Sequence, residues 1–209
     1  DIYLAEQVAK KLGVQVEIQQ MAFDSLIAAL NANKVDMVIS GVNPTEERKK
    51  AVDFSDVYYT SKGIFVVNKD SEEIKSVADL KNKKIGVQKG STYETYAKEQ
   101  LKMDDKNIQA LTDVPSLLQD LKNKKIDAVL IPDDVAKIAM NKYTDIKISS
   151  FTADNDPEAT GMAIVFKKGK NDSNKELLEQ VNAVIKEIQD QKAFEKELDK
   201  YAKIAAQSE

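Results

Sequence analysis

Histidine and cysteine are both missing from this chain of 209 residues. Without cysteine there is no disulfide scaffold and no thiolate nucleophile. Without histidine, the commonest general base and the commonest metal ligand are gone. A Ser-His-Asp triad is therefore excluded, and a zinc site loses its usual donors. The lack of cysteine is compatible with an extracytoplasmic setting that avoids unwanted oxidation. No apolar run approaches the ~18 residues that a membrane-crossing helix needs. There is also no basic stripe or arm. Lys and Arg number 31 against 35 Asp and Glu, for a net charge of −4, and the lysines are interleaved with acids. That excludes nucleic acid as an expected partner.

What is present is an ordinary globular composition, with 42% hydrophobic and 32% charged residues. The length suits one large or two small domains. The chain opens at Asp1 inside a helical pattern, with Leu4, Val8 and Leu12 on one face and Gly13 as the stop. A start without Met in mid-pattern leads us to expect upstream residues that were processed or removed.

Strands and helices then alternate, the sequence sign of an α/β fold with a largely parallel sheet. Val14–Ile18 alternates like a strand, and Asp24 or Ser25 caps a short helix through Leu30. Apolar runs at Ile64–Val67, Ile85–Val87, Ile108–Leu111, Asp127–Ile131 and Gly161–Phe166 read as strands. Val77–Leu80 reads as a one-turn helix, and Tyr93–Leu101, Val114–Leu121 and Ala136–Met140 as longer ones. Two amphipathic helices, about 174–188 and 191–202, close the chain. Segments 36–59 and 85–140 repeat one scheme of buried strand, polar loop and helix, which points to two similar lobes. The long strands at 63–67 and 161–166 would be the crossings between them.

The most telling stretch runs from Val35 to Arg48. The apolar strand Met37–Ile39 stops at Ser40, Gly41 and Asn43, which offer backbone N–H groups and short polar side chains. Thr45 is placed to cap the next helix, with Glu46 and Glu47 in its first turn. Arg48 then presents a planar fork that suits a carboxylate. In open α/β sheets, ligands sit outside the carboxyl ends of strands.

Several longer segments carry a family resemblance. They are Phe23–Leu30, Lys34–Gly41, Glu47–Asp56 with Tyr58 and Tyr59, Val77–Lys81, Ile85–Thr92 and Ile126–Val129. In order and at this spacing, they resemble the extracytoplasmic solute-binding proteins of ABC importers for polar amino acids. The resemblance covers essentially the whole chain. It implies an α/β, two-lobe, periplasmic-binding-protein-like clamshell, each lobe a mixed, mostly parallel sheet flanked by helices. Lobe one would be 1–62 and 167–209, without its first strand, and lobe two 63–166 with both crossing strands. A free amino acid would be held between lobes that close by hinge motion and then be read by a membrane permease.

The site residues implied by the resemblance follow position by position. Arg48 would pair with the ligand's α-carboxylate, helped by Gly41 and Asn43, with Ser40 beside them. Phe23 would be an apolar wall. Ser91 and Thr92, at a helix start behind Gly90, would meet the carboxylate from lobe two, and Gln88 would face the ligand's side chain. The family usually places an Asp for the α-ammonium just after the strand ending here at Ile131. This chain has Pro132 there, and Asp133 would serve after a one-residue shift. Tyr58 and Tyr59 read as packing, with no ligand role. The protein is expected to be a monomer without cofactor or metal and without catalysis. A lipid anchor on a Gram-positive cell surface is expected over a free periplasmic form, in keeping with its many Lys and Asn residues and little Arg. A ligand-binding sensor domain, and behind it a small dehydratase or hydrolase on the same scaffold, are the alternatives.

Overall fold

The computed structural model describes residues 1–153, 160–169 and 174–207. The chain divides into two compact units. The first is Asp1–Thr60 with Gly161–Lys200, and the second is Ser61–Thr160 with the end of the chain from Tyr201.

The first unit opens with α1 (Ile2–Leu12), which stops at Gly13 in the left-handed region at φ 69°, as expected of that residue. A single 3-10 turn, Phe23–Ser25, leads into α2 (Leu26–Asn31). β1 (Met37–Val38), α3 (Glu46–Ala51) and β2 (Val52–Thr60) follow. The chain later returns through β8 (Gly161–Lys167), α7 (Lys175–Asp190) and the start of α8 (Ala193–Gln207). β8 lies in the middle of the sheet, in the order β1-β8-β2, and is antiparallel to both neighbours.

That placement corrects two expectations. The strand 161–166 was assigned to the second lobe, yet its backbone partners are β1 and β2, so it belongs to the first unit. The sheet expected to be mostly parallel is antiparallel at both of its described pairings, because the strand between β1 and β2 runs back from the second unit. Side chains of β8 alternate as a central strand requires. Met162, Ile164 and Phe166 pack with Leu4 and Val8 of α1 and with Val181, Val184, Ile185 and Ile188 of α7. Val165 packs on the other face with Leu26 and Leu30 of α2.

The alternating segment Val14–Ile18 forms no strand. Val14, Val16 and Ile18 are 58%, 44% and 58% exposed. Alternation alone does not make a strand when no neighbour accepts its ladder of hydrogen bonds.

The second unit holds β3 (Gly63–Asn68), β4 (Ile85–Gln88), β5 (Ile108–Leu111), β6 (Ala128–Pro132) and β7 (Ile146–Thr152) in the order β5-β4-β6-β3-β7. Pairings β4–β5 and β4–β6 are parallel, while β3–β6 and β3–β7 are antiparallel. This sheet is buried on both faces, and the period of two sorts its residues. Phe65, Val67, Ala128 and Leu130 face one core with Tyr93 and Tyr96. Ile64, Val66, Val129 and Ile131 face the other with Leu117, Leu118 and Leu121 of α5 (Val114–Lys122) and Ala136 and Ala139 of α6 (Asp133–Lys142). The expected helix 93–101 is one α-helical turn, α4 (Thr92–Thr95), continuing as a π-type turn over Tyr96–Gln100. Val77–Leu80 is a 3-10 turn with a reciprocal capping box between Ser76 and Asp79. Among the described residues no helix is long and apolar enough to cross a membrane.

Candidate ligand-binding site

In the first unit the polar loop after β1 is built around one arginine. Thr45 caps α3 as expected, its Oγ1 accepting the Arg48 backbone N–H at 3.2 Å. The cap sets the first helical turn, and that turn directs the Arg48 side chain back over the loop. Arg48 Nη1 donates to the Asn43 carbonyl at 3.0 Å. Its guanidinium carbon lies 5.7 Å from the centroid of the Phe23 ring. Burial pulls the Arg48 guanidinium below its ordinary value, with the neighbouring Glu47 charge opposing that shift. A desolvated cation set against an aromatic face is attractive to an anion that brings its own acceptors.

The structure therefore brings Phe23, Asn43 and Arg48 together. The loop backbone is otherwise more committed than the sequence indicates. Gly41, at φ 60°, donates its N–H to Tyr58 Oη at 3.1 Å. Tyr58 Oη in turn donates to Asp1 Oδ1 at 2.9 Å. Buried Asn43 donates from Nδ2 to the Gly161 carbonyl at 2.6 Å. Gly41 and Asn43, expected to offer backbone N–H or side-chain bonds to a ligand, spend these groups on holding the loop in this structure. Ser40 lies half-buried beside Gly41. Tyr58, read from sequence as packing alone, is the residue that this reading missed. No local pattern marks it, because its partners are 17 and 57 residues away.

In the second unit, Gln88 ends β4 and donates from Nε2 to the Thr112 carbonyl at 3.3 Å. Ser91 caps α4: its Oγ accepts the Glu94 N–H at 3.3 Å and donates to the Gln88 carbonyl at 2.6 Å. Glu94 reaches back to accept the Gly90 N–H at 2.8 Å. Burial pushes the Glu94 carboxyl up, but Lys98, the Gly90 N–H and Lys89 together outweigh it and leave the group below its ordinary range. Thr92 is buried at the first position of α4. These residues share one turn, as expected, but Gly90 N–H and Ser91 Oγ are already spent on capping.

Asp133 opens α6, and both of its carboxylate oxygens are engaged. Oδ1 accepts the Lys62 N–H at 3.1 Å, and Oδ2 pairs with Lys137 Nζ at 2.7 Å. Burial pushes its carboxyl up, but Lys137 and the Lys62 N–H outweigh this, and the group stays ionised to lower pH than usual. The residue expected to meet an ammonium is a helix-end clamp in this structure.

The profile of the bacterial extracellular solute-binding proteins, family 3, matches residues 1–204. The arginine-binding extracellular protein ArtP of Bacillus subtilis is 41% identical over 201 residues, covering 94% of this chain and 74% of that protein. A probable histidine-binding protein of Campylobacter jejuni is 34% identical over 203 residues, covering 96% and 75%. Among solved structures, an amino acid ABC transporter substrate-binding protein from Streptococcus pneumoniae bound to L-arginine superposes with a TM-score of 0.88 at 31% identity, covering 97% of this chain and 82% of that one. With a family profile matched over residues 1–204 and relatives of this identity, the chain belongs to family 3 of the bacterial extracellular solute-binding proteins.

Proposed function

We propose that the protein binds a free amino acid, with L-arginine as its cargo, and passes it to the permease of an ABC importer. The observation that carries this is the Arg48 guanidinium, desolvated, set on the Phe23 ring and braced by the Asn43 carbonyl. Such a group is prepared for an α-carboxylate, because its fork can accept a bidentate partner without further ordering. Arginine is favoured as cargo by the relatives at 41% and 32% identity described as arginine-binding, and by two S. pneumoniae structures bound to L-arginine.

Gln88, Ser91 and Thr92 on the second unit are further ligand contacts in this reading. The protein acts as a monomer that performs no catalysis. It sits outside the cytoplasm, which the extracellular description of its family supports, and is held there by a lipid anchor, the reading that its Lys- and Asn-rich composition favours.

The test is a thermal-shift screen of the protein against the twenty amino acids, followed by calorimetry. L-Arginine raises Tm, by ~2.7 kcal/mol of stability at a hundredfold over Kd, and Arg48→Ala abolishes the shift. A shift with another amino acid alone replaces the cargo. No shift with any of them overturns the reading.

A further inference from the structure

Two stretches of the second unit are identical in sequence. Leu80-Lys81-Asn82-Lys83-Lys84-Ile85 and Leu121-Lys122-Asn123-Lys124-Lys125-Ile126 are the same hexapeptide. The fold sets them side by side. The first leads into β4 and the second into β6, and these strands are parallel neighbours with Ile85 opposite Ala128. Both turns therefore stand at the amino end of one sheet. They are joined there, since the Lys84 carbonyl accepts the Asp127 N–H at 2.8 Å and the Lys84 N–H donates to Asp127 Oδ2 at 2.7 Å.

Each copy closes in the same way. The Lys83 N–H donates to the Leu80 carbonyl and the Lys124 N–H to the Leu121 carbonyl, both at 3.0 Å. The apolar ends are anchors. Leu80 and Ile85 are buried in the core on one face of the sheet, and Leu121 and Ile126 in the core on the other. The charged middles stay outside. Lys81, Lys122, Lys124 and Lys125 are exposed, and Lys83 and Lys84 are half-buried.

Only part of this charge is answered. Lys124 pairs with Asp70 at 2.6 Å and Lys125 with Asp120 at 2.9 Å. Lys81, Lys83, Lys84 and Lys122 have no ion-pair partner among the described residues. With Asp127 included, six lysines face three aspartates, in a chain whose net charge is −4. A positive end on an acidic protein has a local field that its net charge conceals.

The chemistry of the cluster selects its partner. Neither copy contains arginine, so there is no planar fork to grip a single phosphate. Neither contains an aromatic side chain on which a base could stack. The apolar side chains of both are buried, so no hot spot is offered to a folded protein. What remains is spread point charge, which is drawn to a dense layer of negative headgroups. We propose that this paired lysine cluster docks the second unit on an anionic phospholipid surface. The cluster is not part of the amino acid site, because ligands of open α/β sheets sit at the opposite, carboxyl end, where Gln88 and Ser91 lie. The proposal therefore stands apart from the choice of cargo.

The experiment is co-sedimentation of the protein with vesicles of phosphatidylglycerol mixed with phosphatidylcholine, and with vesicles of phosphatidylcholine alone. The protein binds the first and not the second. Binding is lost as salt rises from about 0.01 M to about 1 M, which shortens the screening length from about 30 Å to about 3 Å. The triple variant Lys81→Gln, Lys83→Gln, Lys122→Gln binds on the order of 100-fold more weakly, with its Tm and its amino acid binding unchanged. The control Lys10→Gln, Lys175→Gln, Lys186→Gln removes the same charge from exposed positions of the first unit and keeps vesicle binding. No binding to phosphatidylglycerol vesicles by the unaltered protein overturns the proposal, as does equal loss in the control, which would make net charge the cause. Binding that survives high salt or needs no anionic lipid overturns it too. Capture of long-chain polyphosphate without capture of vesicles replaces the membrane with a soluble polyanion.

Discussion

Arg48 lies over the ring of Phe23, its guanidinium carbon 5.7 Å from the ring centroid, although 25 positions of chain separate the two. The contact joins the only turn between residues 13 and 26 to the first turn of α3. It holds a cation that burial has already weakened. An exposed pair of this kind stabilises by ~0.5–1 kcal/mol, and a desolvated one by more. The ring therefore both positions the fork and forms a wall beside it. Phe23→Leu keeps apolar volume and removes the π-face. We expect L-arginine binding to weaken by about 3- to 10-fold with Tm nearly unchanged. Calorimetry on the two proteins checks this, and unchanged affinity would show that the ring is packing alone.

Arg48→Lys keeps the charge and loses the fork. A lysine amine cannot brace on the Asn43 carbonyl and meet both oxygens of a carboxylate at once. Affinity for L-arginine is expected to fall on the order of 100-fold, close to the effect of Arg48→Ala. A Lys variant that binds within threefold of the original would mean that charge alone does the work.

Tyr58 ties Gly41 to Asp1, and Tyr58→Phe removes that tie while keeping the buried ring. The half-buried Gly41 N–H loses its acceptor and Asp1 loses the Tyr58 hydroxyl, at a cost of about 1–3 kcal/mol set mainly by the Gly41 group. Tm should fall by several degrees, and ligand affinity should fall too because the loop before Arg48 loosens. A drop in Tm with affinity intact would confine Tyr58 to stability.

Asp53 carries a pH dependence whose sign can be worked out. Burial raises its carboxyl, but Lys168 at 2.9 Å, the Gly169 N–H at 2.7 Å and Asn174 outweigh burial and hold it below the ordinary 3.8. A folded value below the unfolded one gives stability that is present above about pH 4 and is lost as pH falls through the lowered folded value. Asp53→Asn should cost about 1 kcal/mol at pH 7. In urea unfolding the gap to the unaltered protein should narrow as pH falls below about 4. A gap that stays constant or widens as the pH is lowered below about 4 contradicts the assignment.

Two glycines of the second unit separate hard from soft packing. A Cβ on Gly63 would stand 2.6 Å from the Tyr93 ring and 2.9 Å from the Ala153 Cβ. A Cβ on Gly86 would stand 2.6 Å from Ile126 Cδ1 and 2.8 Å from Leu117 Cδ2. The second pair are tips of flexible side chains, whereas an aromatic ring and a Cβ cannot turn away. Gly63→Ala should therefore cost more than Gly86→Ala, about 2–3 against 1–2 kcal/mol. Urea denaturation of both variants tests the order, and a reversal would show that the Tyr93 ring has room to move.

Much of this fold was legible residue by residue. Gly13 ends α1, Thr45 caps α3, and the apolar runs 64–67 and 128–131 are strands, because each of these outcomes depends on groups within a few residues. The same locality explains the failures. Val14–Ile18 alternates well enough, but a strand also needs a partner, and nothing in five residues says whether one is near. The parallel reading of the first sheet failed because β8 pairs with residues more than 100 positions earlier.

For the site, the sequence by itself determined which chemistry was available. It supplied a capped turn that presents an arginine, a polar loop before it, and acidic residues after Pro132, in a chain with no histidine or cysteine for other work. Tertiary structure alone decided which of those groups stay open. Gly41 N–H went to Tyr58, the Asn43 amide to Gly161, and Asp133 to Lys62 and Lys137, while Asp134 Oδ1 was left without a partner. The reason is physical. Burial makes every polar group seek a partner, and the partners within reach are chosen by how the chain returns to itself, over distances that no local pattern records.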